Sequence, residues 1–418
     1  MLQIFHTADW HLGQSFHNYD RLYEQQQFLD WLLRQLQAHQ PDALILAGDV
    51  FDTINPSAAA QKQYYRFLND AQQARPGLQM VITAGNHDAG SRLEAPRDLL
   101  EAFRIRVVGT VPRDQKGAID PEQLIVPITS ENGDVAAYVL AVPFLRPADL
   151  PTVKGAEDPW LEGIRRLYHQ ATQQAAMRRN TDAPNAAIIA MGHCHFSGGE
   201  ESPDSERRLI IGQAECIGSE AFPPELTYTA LGHLHRAQEF DGGRIRYSGS
   251  PIPLSFSERS YSHRVLQLFI DGQELQRVET LTVPRAVPML RLPESGSATA
   301  PELLQLLQQL DLPADVPESQ QPFLELHLQE DQPNPGFRSE ADQIVQSRGV
   351  RLVSIKRHYP DRSGSEAIQP SEGGLDQLAA IRPEDVFSSH WRDEFNTEPD
   401  AAVLQVLREI LLEEEVQR

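Results

Sequence analysis

Residues 43–52 have the sequence ALILAGDVFD, a short apolar run that ends in Gly48 and is followed at once by Asp49. Runs of this length that are rich in Leu, Ile and Val and stop at glycine are typical of buried strands. The segment therefore predicts a strand with a carboxylate at its carboxyl end, where open α/β sheets place their functional groups.

Four further apolar runs end in a comparable way. They are Leu2–Thr7, Met80–Ala84, Ala186–Met191 and Tyr228–Leu231. In chain order, the groups that follow them are Asp9 and His11, then Asn86, His87 and Asp88, then His193, and then His233 and His235. A single Gly-Asp pair is usually a turn. Five such clusters in this order are difficult to explain as packing alone.

Helical patterns separate several of these runs. Apolar residues recur at helical spacing over Tyr19–Gln40, Ala58–Ala74 and Asp158–Arg179, and strands joined through helices lie parallel in one sheet. From Leu226 to Val283 the pattern changes to short strands and turns. We expect an α/β sandwich of two mixed sheets flanked by helices over residues 1–283.

The remaining chain predicts smaller units. Residues 284–360 contain helix-like and strand-like segments sufficient for a small α+β capping domain, and residues 361–380 have a linker composition. Residues 381–418 regain helical periodicity. Their last helix places an apolar stripe on one face, formed by Val403, Val406, Leu407, Ile410 and Leu411. So short a tail cannot bury this stripe alone, so it docks either on the main domain or on a partner.

Composition limits the class of protein. The 418 residues contain two cysteines, which excludes a disulfide scaffold. Without a signal-like start or the roughly 20 apolar residues that span a bilayer, a cytoplasmic protein with no membrane contact is expected. The formal charge of −22 argues against a free-standing DNA binder. It allows a nuclease subunit whose partner supplies the basic surface.

The side chains at the run ends suit two divalent ions about 3.5–4 Å apart, which need hard ligands, one shared group and an open position for water. Asp49 is the natural bridging carboxylate, since each of its oxygens can face one ion. The expected ligands of one ion are Asp9, His11, Asp49 and His235. Those of the other are Asp49, Asn86, His193 and His233. Such donors suit Mn²⁺, Fe²⁺ or Zn²⁺, and Mg²⁺ stays open.

His87 is expected to act differently from its neighbours. Beside a ligand but not itself an obvious ligand, it can stabilise a pentavalent phosphorus or protonate the leaving oxygen. Asp88 is expected to be its catalytic partner by orienting the imidazole ring. His195 repeats the His-x-His spacing, but seven ligands already fill two coordination shells.

The motifs together resemble the calcineurin-like metallophosphoesterase superfamily and, within it, the SbcD family of nuclease subunits. They comprise D-x-H at Asp9, G-D-x-x-D at Gly48–Asp52, G-N-H-D at Gly85–Asp88, G-H at Gly192 and G-H-x-H at Gly232. Longer strings, such as Thr7–Gln14, Pro143–Pro147, Ala230–Gln238 and Tyr247–Phe256, extend the likeness over nearly the whole chain.

This resemblance implies a Mn²⁺-dependent DNA nuclease that works in repair, recombination and replication. The expected activities are 3′–5′ exonuclease on double strands, hairpin opening and single-strand endonuclease. The implied partners are DNA and an SbcC-type coiled-coil ATPase of the SMC-like class, which the tail stripe at Val403–Leu411 would contact. A homodimer of the nuclease subunit within a heterotetramer is also implied. Candidate phosphate contacts are Arg92, Arg97, Arg146 and Arg236.

Two other functions compete with this interpretation. A small-substrate phosphoesterase would share the ligand pattern, but it seldom needs the extra residues from Pro284 onward. A catalytically inactive scaffold would be expected to lack some ligands, and none of the seven is missing.

Overall fold

The computed structural model describes residues 1–130, 132–153, 155–202, 216–313, 316–330, 334 and 336–359, together with Trp391, Pro399 and Val403. Met1–Tyr359 forms one compact unit and Pro360–Arg418 a second. The predicted linker at 361–380 lies outside the described residues, as does the predicted tail apart from those three residues. Of the apolar stripe, only Val403 is described.

Helices and strands alternate along the first unit. In chain order the strands are β1 Leu2–Thr7, β2 Ser15–Phe16, β3 Tyr19–Asp20, β4 Ala43–Ala47, β5 Gln79–Thr83, β6 Ile105–Val108, β7 Ile125–Thr129, β8 Val135–Ala141, β9 Ala187–His193, β10 Tyr228–Gly232, β11 Gln238–Phe240, β12 Ile245–Tyr247, β13 Arg264–Asp271, β14 Glu274–Thr282, β15 Met289–Leu292, β16 Phe323–Gln329 and β17 Arg351–His358. The α-helices are α1 Leu22–His39, α2 Ala58–Ala74, α3 Gly90–Glu94, α4 Arg97–Glu101, α5 Pro159–Asp182, α6 Ala300–Gln308 and α7 Phe337–Val345.

Two mixed sheets form the centre of this unit. The first has the strand order β14-β13-β1-β4-β5-β6, in which β1, β4, β5 and β6 run parallel. The second has the order β11-β12-β10-β9-β8-β7, in which β12, β10, β9 and β8 run parallel. Because parallel strands end at the same edge, the residues that follow β1, β4 and β5 meet there, as do those that follow β9 and β10.

The two sheets pack face to face. Ile4, Ile45 and Val81 of the first sheet share one hydrophobic core with Val139 and Ile189 of the second. The outer face of the first sheet is covered by α1 and α2, which contribute buried residues to a separate core. Helix α5 covers the second sheet. The predicted α/β sandwich is therefore confirmed.

Local sequence explains where the long helices begin and end. Ser57 caps α2 by accepting a hydrogen bond from the Ala60 amide, and Asp158 caps α5 by accepting from the amides of residues 160 and 161. Helix α1 ends at His39, and the capping residue Gln40, with a left-handed φ of 48°, stands just before Pro41.

The prediction of a helix from Tyr19 was wrong at its beginning. Residues 15–20 form the hairpin β2–β3, and α1 starts only at Leu22. The turn residues of the hairpin, His17 and Asn18, have φ values of 49° and 72°. Such a pair of left-handed residues is typical of a two-residue hairpin loop. Helix α3 was not predicted either, since five residues are too few to show a helical period.

A smaller parallel sheet follows the sandwich. Strands β15, β16 and β17 lie in that order and are joined through α6 and α7. Leu324, Leu326 and Leu328 on one face of β16 pack against these helices. On the other face, Phe323 packs on Phe16 of the hairpin with ring centroids 4.9 Å apart. The segment combines helix and strand, while its domain boundary at residue 284 stays a prediction.

Among the described residues, the structure has no helix long and apolar enough to cross a membrane.

The Ile189→Ala substitution is expected to lower the free energy of unfolding by about 2–5 kcal/mol, because it leaves a cavity between the two sheets. Urea denaturation followed by circular dichroism measures this change. Leu99→Ala, at a side chain that is 65% exposed, is the control and should stay within about 0.5 kcal/mol of the unmodified protein. Equal losses in both variants would contradict the location of the core.

Candidate functional site

Seven side chains predicted as metal ligands gather where strands of both sheets end. Asp9, His11 and Asp49 follow β1 and β4, and Asn86 follows β5. His193 ends β9, whereas His233 and His235 follow β10. All of these side chains except Asn86 are at most 5% exposed. The site therefore depends on the packing of one sheet on the other.

The backbone at this edge is unusual. Asp9, His11 and Asp49 have φ values of 55°, 44° and 47°, and His233 has a φ of 105°. Such left-handed conformations are unfavourable for residues with a Cβ atom, and they persist where the surrounding structure imposes them. Here they turn the chain sharply after each strand and direct the polar side chains toward one point.

Two glycines allow the strands to approach closely. A Cβ atom at Gly48 would lie 2.1 Å from His193 Nδ1, and one at Gly85 would lie 2.1 Å from Asp49 Oδ1. Both contacts are far shorter than a van der Waals separation. The Gly-Asp and Gly-Asn pairs in the sequence thus have a steric cause, since no other residue fits beside the ligand.

Asp49 occupies the centre of the cluster. Its Oδ2 atom lies 3.5 Å from His11 Nε2 and 3.2 Å from His193 Nε2. Its Oδ1 atom accepts a hydrogen bond of 2.9 Å from the His87 amide. One carboxylate therefore touches residues from both sheets, which is the position that a bridging ligand requires.

Two groups of side chains lie on either side of Asp49. Ligand atoms of Asp9, His11 and His235 lie within 4.8 Å of one another. On the other side, Asn86 Oδ1 lies 2.9 Å from His193 Nε2 and 3.2 Å from His233 Nδ1. Asp9 also lies close to Asp49 and His193, so the two groups adjoin, and the division of the ligands between two ions stays a prediction.

An independent observation supports the binding of divalent metal ions by these side chains. Within the described part of the chain, Asp9 Oδ2 and His11 Nε2 are buried and have no hydrogen-bond partner. A buried polar atom without a partner costs free energy, which a bound cation would recover. His193 directs Nδ1 to the Ala47 carbonyl at 3.0 Å, so its Nε2 is left for the site. Imidazole, carboxylate and amide groups are established ligands of Mn²⁺-type ions.

The charged side chains of the cluster change one another's pKa values. Burial raises the pKa of Asp9 to about 7, and the nearby Asp49 charge adds to this effect. Burial alone would also raise the pKa of Asp49, but the His193 and His11 rings hold it well below its usual range. Burial opposes the protonation of His193, yet the Asp49 carboxylate raises its pKa to about 9. The proton on His193 offsets the negative charge of the Asp49 and Asp9 carboxylates. A bound metal ion would offset the same charge.

Sequence reasoning missed two acidic side chains that contact the predicted ligands. Asp52 Oδ1 lies 3.2 Å from His11 Nδ1, and Glu258 Oε1 lies 2.9 Å from His235 Nδ1. Asp52 stands inside the G-D-x-x-D motif, so its position could have been recognised. Glu258 lies 23 residues after His235, and no spacing pattern connects the two.

His87 lies at the rim of the cluster and is half-buried. Its Nδ1 atom lies 2.7 Å from the Asp52 carbonyl oxygen, and its ring centroid is 4.8 Å from that of His11. Since a carbonyl oxygen can only accept, Nδ1 carries a proton. Nε2 is then the nitrogen available to a substrate.

The structure does not support the expectation that Asp88 orients the His87 ring. Asp88 is 1% exposed, and its carboxylate accepts hydrogen bonds from the amides of Gly85, Val50 and Phe51 at 2.9–3.1 Å. These contacts join the loops after β4 and β5. The partner of His87 Nδ1 is instead the Asp52 carbonyl. Asp88 therefore positions the loops that carry Asp49 and Asn86.

The four candidate arginines lie at different positions around this edge. Arg92 bonds the Ile54 carbonyl at 3.0 Å, and Arg97 pairs with Glu101 at 2.9 Å. Arg146 lies over the Phe144 ring at 5.4 Å, whereas Arg236 pairs with Glu200. Arg92, Arg146 and Arg236 are exposed and could reach a phosphate, so their role stays a prediction.

His195 is the additional histidine that repeats the His-x-His spacing. Its Nδ1 atom lies 3.2 Å from Glu201 Oε1 and not against Asp49. His6 is fully buried, and its Nδ1 atom lies 2.9 Å from the Tyr228 hydroxyl, as expected for a core histidine.

The profile of the calcineurin-like phosphoesterase family matches residues 2–237, and that of the type 5 capsule protein repressor C-terminal domain matches residues 285–395. The SbcD subunit of the SbcCD nuclease from Rhodobacter capsulatus is 40% identical over 93% of this chain and 94% of its own length. The corresponding protein from Escherichia coli is 34% identical over 93% of this chain and 92% of its own length. The one from Bacillus subtilis is 36% identical over 63% of this chain and 65% of its own length.

Asp52→Ala is expected to weaken Mn²⁺ binding about 10–100-fold, because the His11 ring loses the carboxylate that fixes its orientation. Isothermal titration of metal-free protein with Mn²⁺ measures the affinity. Asp98→Ala, at an exposed residue of α4, is the control and should bind as the unmodified protein does. Equal affinities for the two variants would show that Asp52 does not position His11.

Proposed function

Because the chain belongs to the calcineurin-like phosphoesterase family and, within it, to the group of SbcD nuclease subunits, we propose that it is the nuclease component of an SbcCD-type complex and hydrolyses DNA phosphodiesters with two divalent metal ions. The observation that carries the proposal is the position of Asp49, with Oδ2 between His11 and His193.

The described side chains would hold the ions in two groups. Asp9, His11, Asp49 and His235 would bind one ion. Asp49, Asn86, His193 and His233 would bind the other. Mn²⁺ is the proposed ion on the resemblance to SbcD nuclease subunits, and the imidazole, carboxylate and amide donors are compatible with it. Fe²⁺, Zn²⁺ and Mg²⁺ remain the alternatives that metal titration distinguishes.

When bound, the ions supply Lewis acidity that activates an attacking water and neutralises the phosphate. The chain's own residues align the reaction. Asp52 and Glu258 hold the His11 and His235 rings, and Asp88 fixes the loops that carry Asp49 and Asn86. The left-handed backbone of Asp9 and Asp49 keeps both carboxylates directed inward before any substrate arrives.

His87 is proposed to act on the phosphate itself. Nδ1 donates a hydrogen bond to the Asp52 carbonyl oxygen, so Nε2 is the nitrogen that can meet a phosphate oxygen. To donate a hydrogen bond there, or a proton to the leaving oxygen, the ring must be an imidazolium.

The proposed substrates are double-stranded DNA ends, cut with 3′–5′ polarity, together with hairpins and single strands. The charge of −22 means that the ions and the exposed arginines at the rim must neutralise the phosphates locally. A small phosphodiester remains the second candidate, since the metal cluster alone does not select DNA.

The proposed partner is an SbcC-type ATPase, which would supply a basic DNA-holding surface to a chain whose net charge is −22. In this proposal residues 1–283 form the nuclease domain, 284–360 the capping domain and 361–380 a linker. The tail at 381–418 docks on the ATPase through its apolar stripe. Two copies of the nuclease chain are proposed to assemble with two ATPases.

His87→Ala is expected to retain Mn²⁺ binding but to reduce cleavage of a hairpin oligonucleotide by about 100-fold or more, because it removes transition-state stabilisation and leaves the ligands intact. Cleavage is measured by gel assay with Mn²⁺, with and without the ATPase and ATP. His169→Ala, at an exposed residue of α5, is the control. Wild-type cleavage by His87→Ala would refute the catalytic role. Hydrolysis of bis-p-nitrophenyl phosphate without cleavage of any DNA would favour the small-substrate function.

Deletion of residues 399–418 is expected to abolish co-purification with the ATPase while leaving Mn²⁺ binding unchanged, because the apolar stripe is removed and the cluster is not. A pull-down of the co-expressed proteins and a metal titration measure the two properties. If the truncated chain still co-purified at the full level, docking through the tail would be excluded.

A further inference from the structure

The segment Tyr247–Phe256 is one of the strings that carry the family resemblance, but it contributes none of the proposed ligands. It packs along the loop that carries His235. The Ser250 amide donates a 3.1 Å hydrogen bond to the His235 carbonyl oxygen. Just beyond the segment lies Glu258, whose side chain is completely buried.

Both oxygens of Glu258 accept hydrogen bonds. Oε1 lies 2.9 Å from His235 Nδ1. Oε2 accepts from the Leu254 amide at 2.8 Å and from the Ser250 hydroxyl at 3.4 Å. The carboxylate thus joins the metal-site loop to the turn at residues 250–258.

These contacts determine the state of the His235 ring. A carboxylate oxygen accepts, so Nδ1 carries a proton, and in the neutral ring Nε2 then keeps its lone pair. His235 offers a ring nitrogen within 4.8 Å of ligand atoms of Asp9 and His11, and Nε2 is the nitrogen that Glu258 does not contact. A histidine in the opposite tautomer would present an N–H group to the ion and could not bind it.

The turn is also held from its far side. Arg21, which is 1% exposed, donates from Nη1 to the Pro253 carbonyl at 2.6 Å. Gln14 donates from Nε2 to the Leu254 carbonyl at 3.3 Å. With its backbone fixed on both sides, the turn leaves Glu258 little freedom to move away from His235.

We propose that Glu258 is a positioning residue, which fixes the tautomer and the orientation of His235 and thereby sets the affinity of the metal position formed with Asp9 and His11. The inference rests on the proposed metal-dependent function. Its structural alternative is that Glu258 serves only to stabilise the turn at Leu254.

The first experiment uses the unmodified protein without metal. Histidine labelled with ¹⁵N gives long-range proton–nitrogen spectra that distinguish the two tautomers, and the His235→Gln variant assigns the signal. The proposal expects the proton on Nδ1. A proton on Nε2 alone would overturn it. The state of the ring is read from the unmodified protein, and the variant serves only to assign the signal.

The second experiment measures Mn²⁺ binding to Glu258→Gln. An amide can accept on one atom only, so it cannot serve both the His235 Nδ1–H and the Leu254 N–H. We expect one of two binding events to weaken about 10–100-fold. Glu225→Gln, an exchange of the same type at an exposed residue, should bind like the unmodified protein. Two unweakened binding events in Glu258→Gln would contradict the positioning role.

The same data separate this inference from the proposed function. If the unmodified protein bound no Mn²⁺, Fe²⁺ or Zn²⁺, the metal centre itself would be refuted. The tautomer measurement would still decide whether Glu258 controls the His235 ring.

Discussion

The contact on which the rest of this structure depends is a buried carboxylate, Asp49, held between two histidine rings. His11 approaches from the first sheet and His193 from the second, at 3.5 and 3.2 Å from the same oxygen. Such a concentration of charge is costly inside a protein unless it is neutralised. The fold brings the strand ends, and with them the two histidine rings, close to the Asp49 carboxylate. This approach leaves no room for a Cβ atom at positions 48 and 85, where glycine stands. Metal ions would complete the neutralisation.

A second layer of residues holds this arrangement without entering it. Asp52, Glu258 and Asp88 each accept hydrogen bonds from a ligand ring or from the loops beside the ligands. The outer carboxylates therefore preset the site, so that substrate binding does not have to organise it. Proteins that handle phosphate chemistry gain most of their rate from such preorganisation. His87, anchored by a backbone carbonyl, belongs to the same rigid framework.

The sequence predicted the two-sheet sandwich and the ligand edge because both depend on local signals: an apolar run, a glycine, then a polar residue. It could not predict the role of Asp88, since adjacency to His87 in the chain does not imply contact when the backbone turns between them. Glu258 escaped for the opposite reason, because its partner His235 is distant in sequence. The hairpin at residues 15–20 was missed because its strands have two residues each, too few to show a period of two.

The division of the ligands between two sheets also has a consequence for how the protein is made. Asp9 and His233 are 224 positions apart, yet the His233 amide donates to Asp9 Oδ1 at 2.9 Å. The chain must therefore emerge from the ribosome well beyond His235 before the site can form. For the full set of contacts it must emerge beyond Glu258. A prematurely terminated chain that ends after β6 would contain Asp9, His11, Asp49 and Asn86 and still lack His193, His233 and His235. An incomplete translation product that ends before β9 therefore cannot bring the seven predicted ligands together.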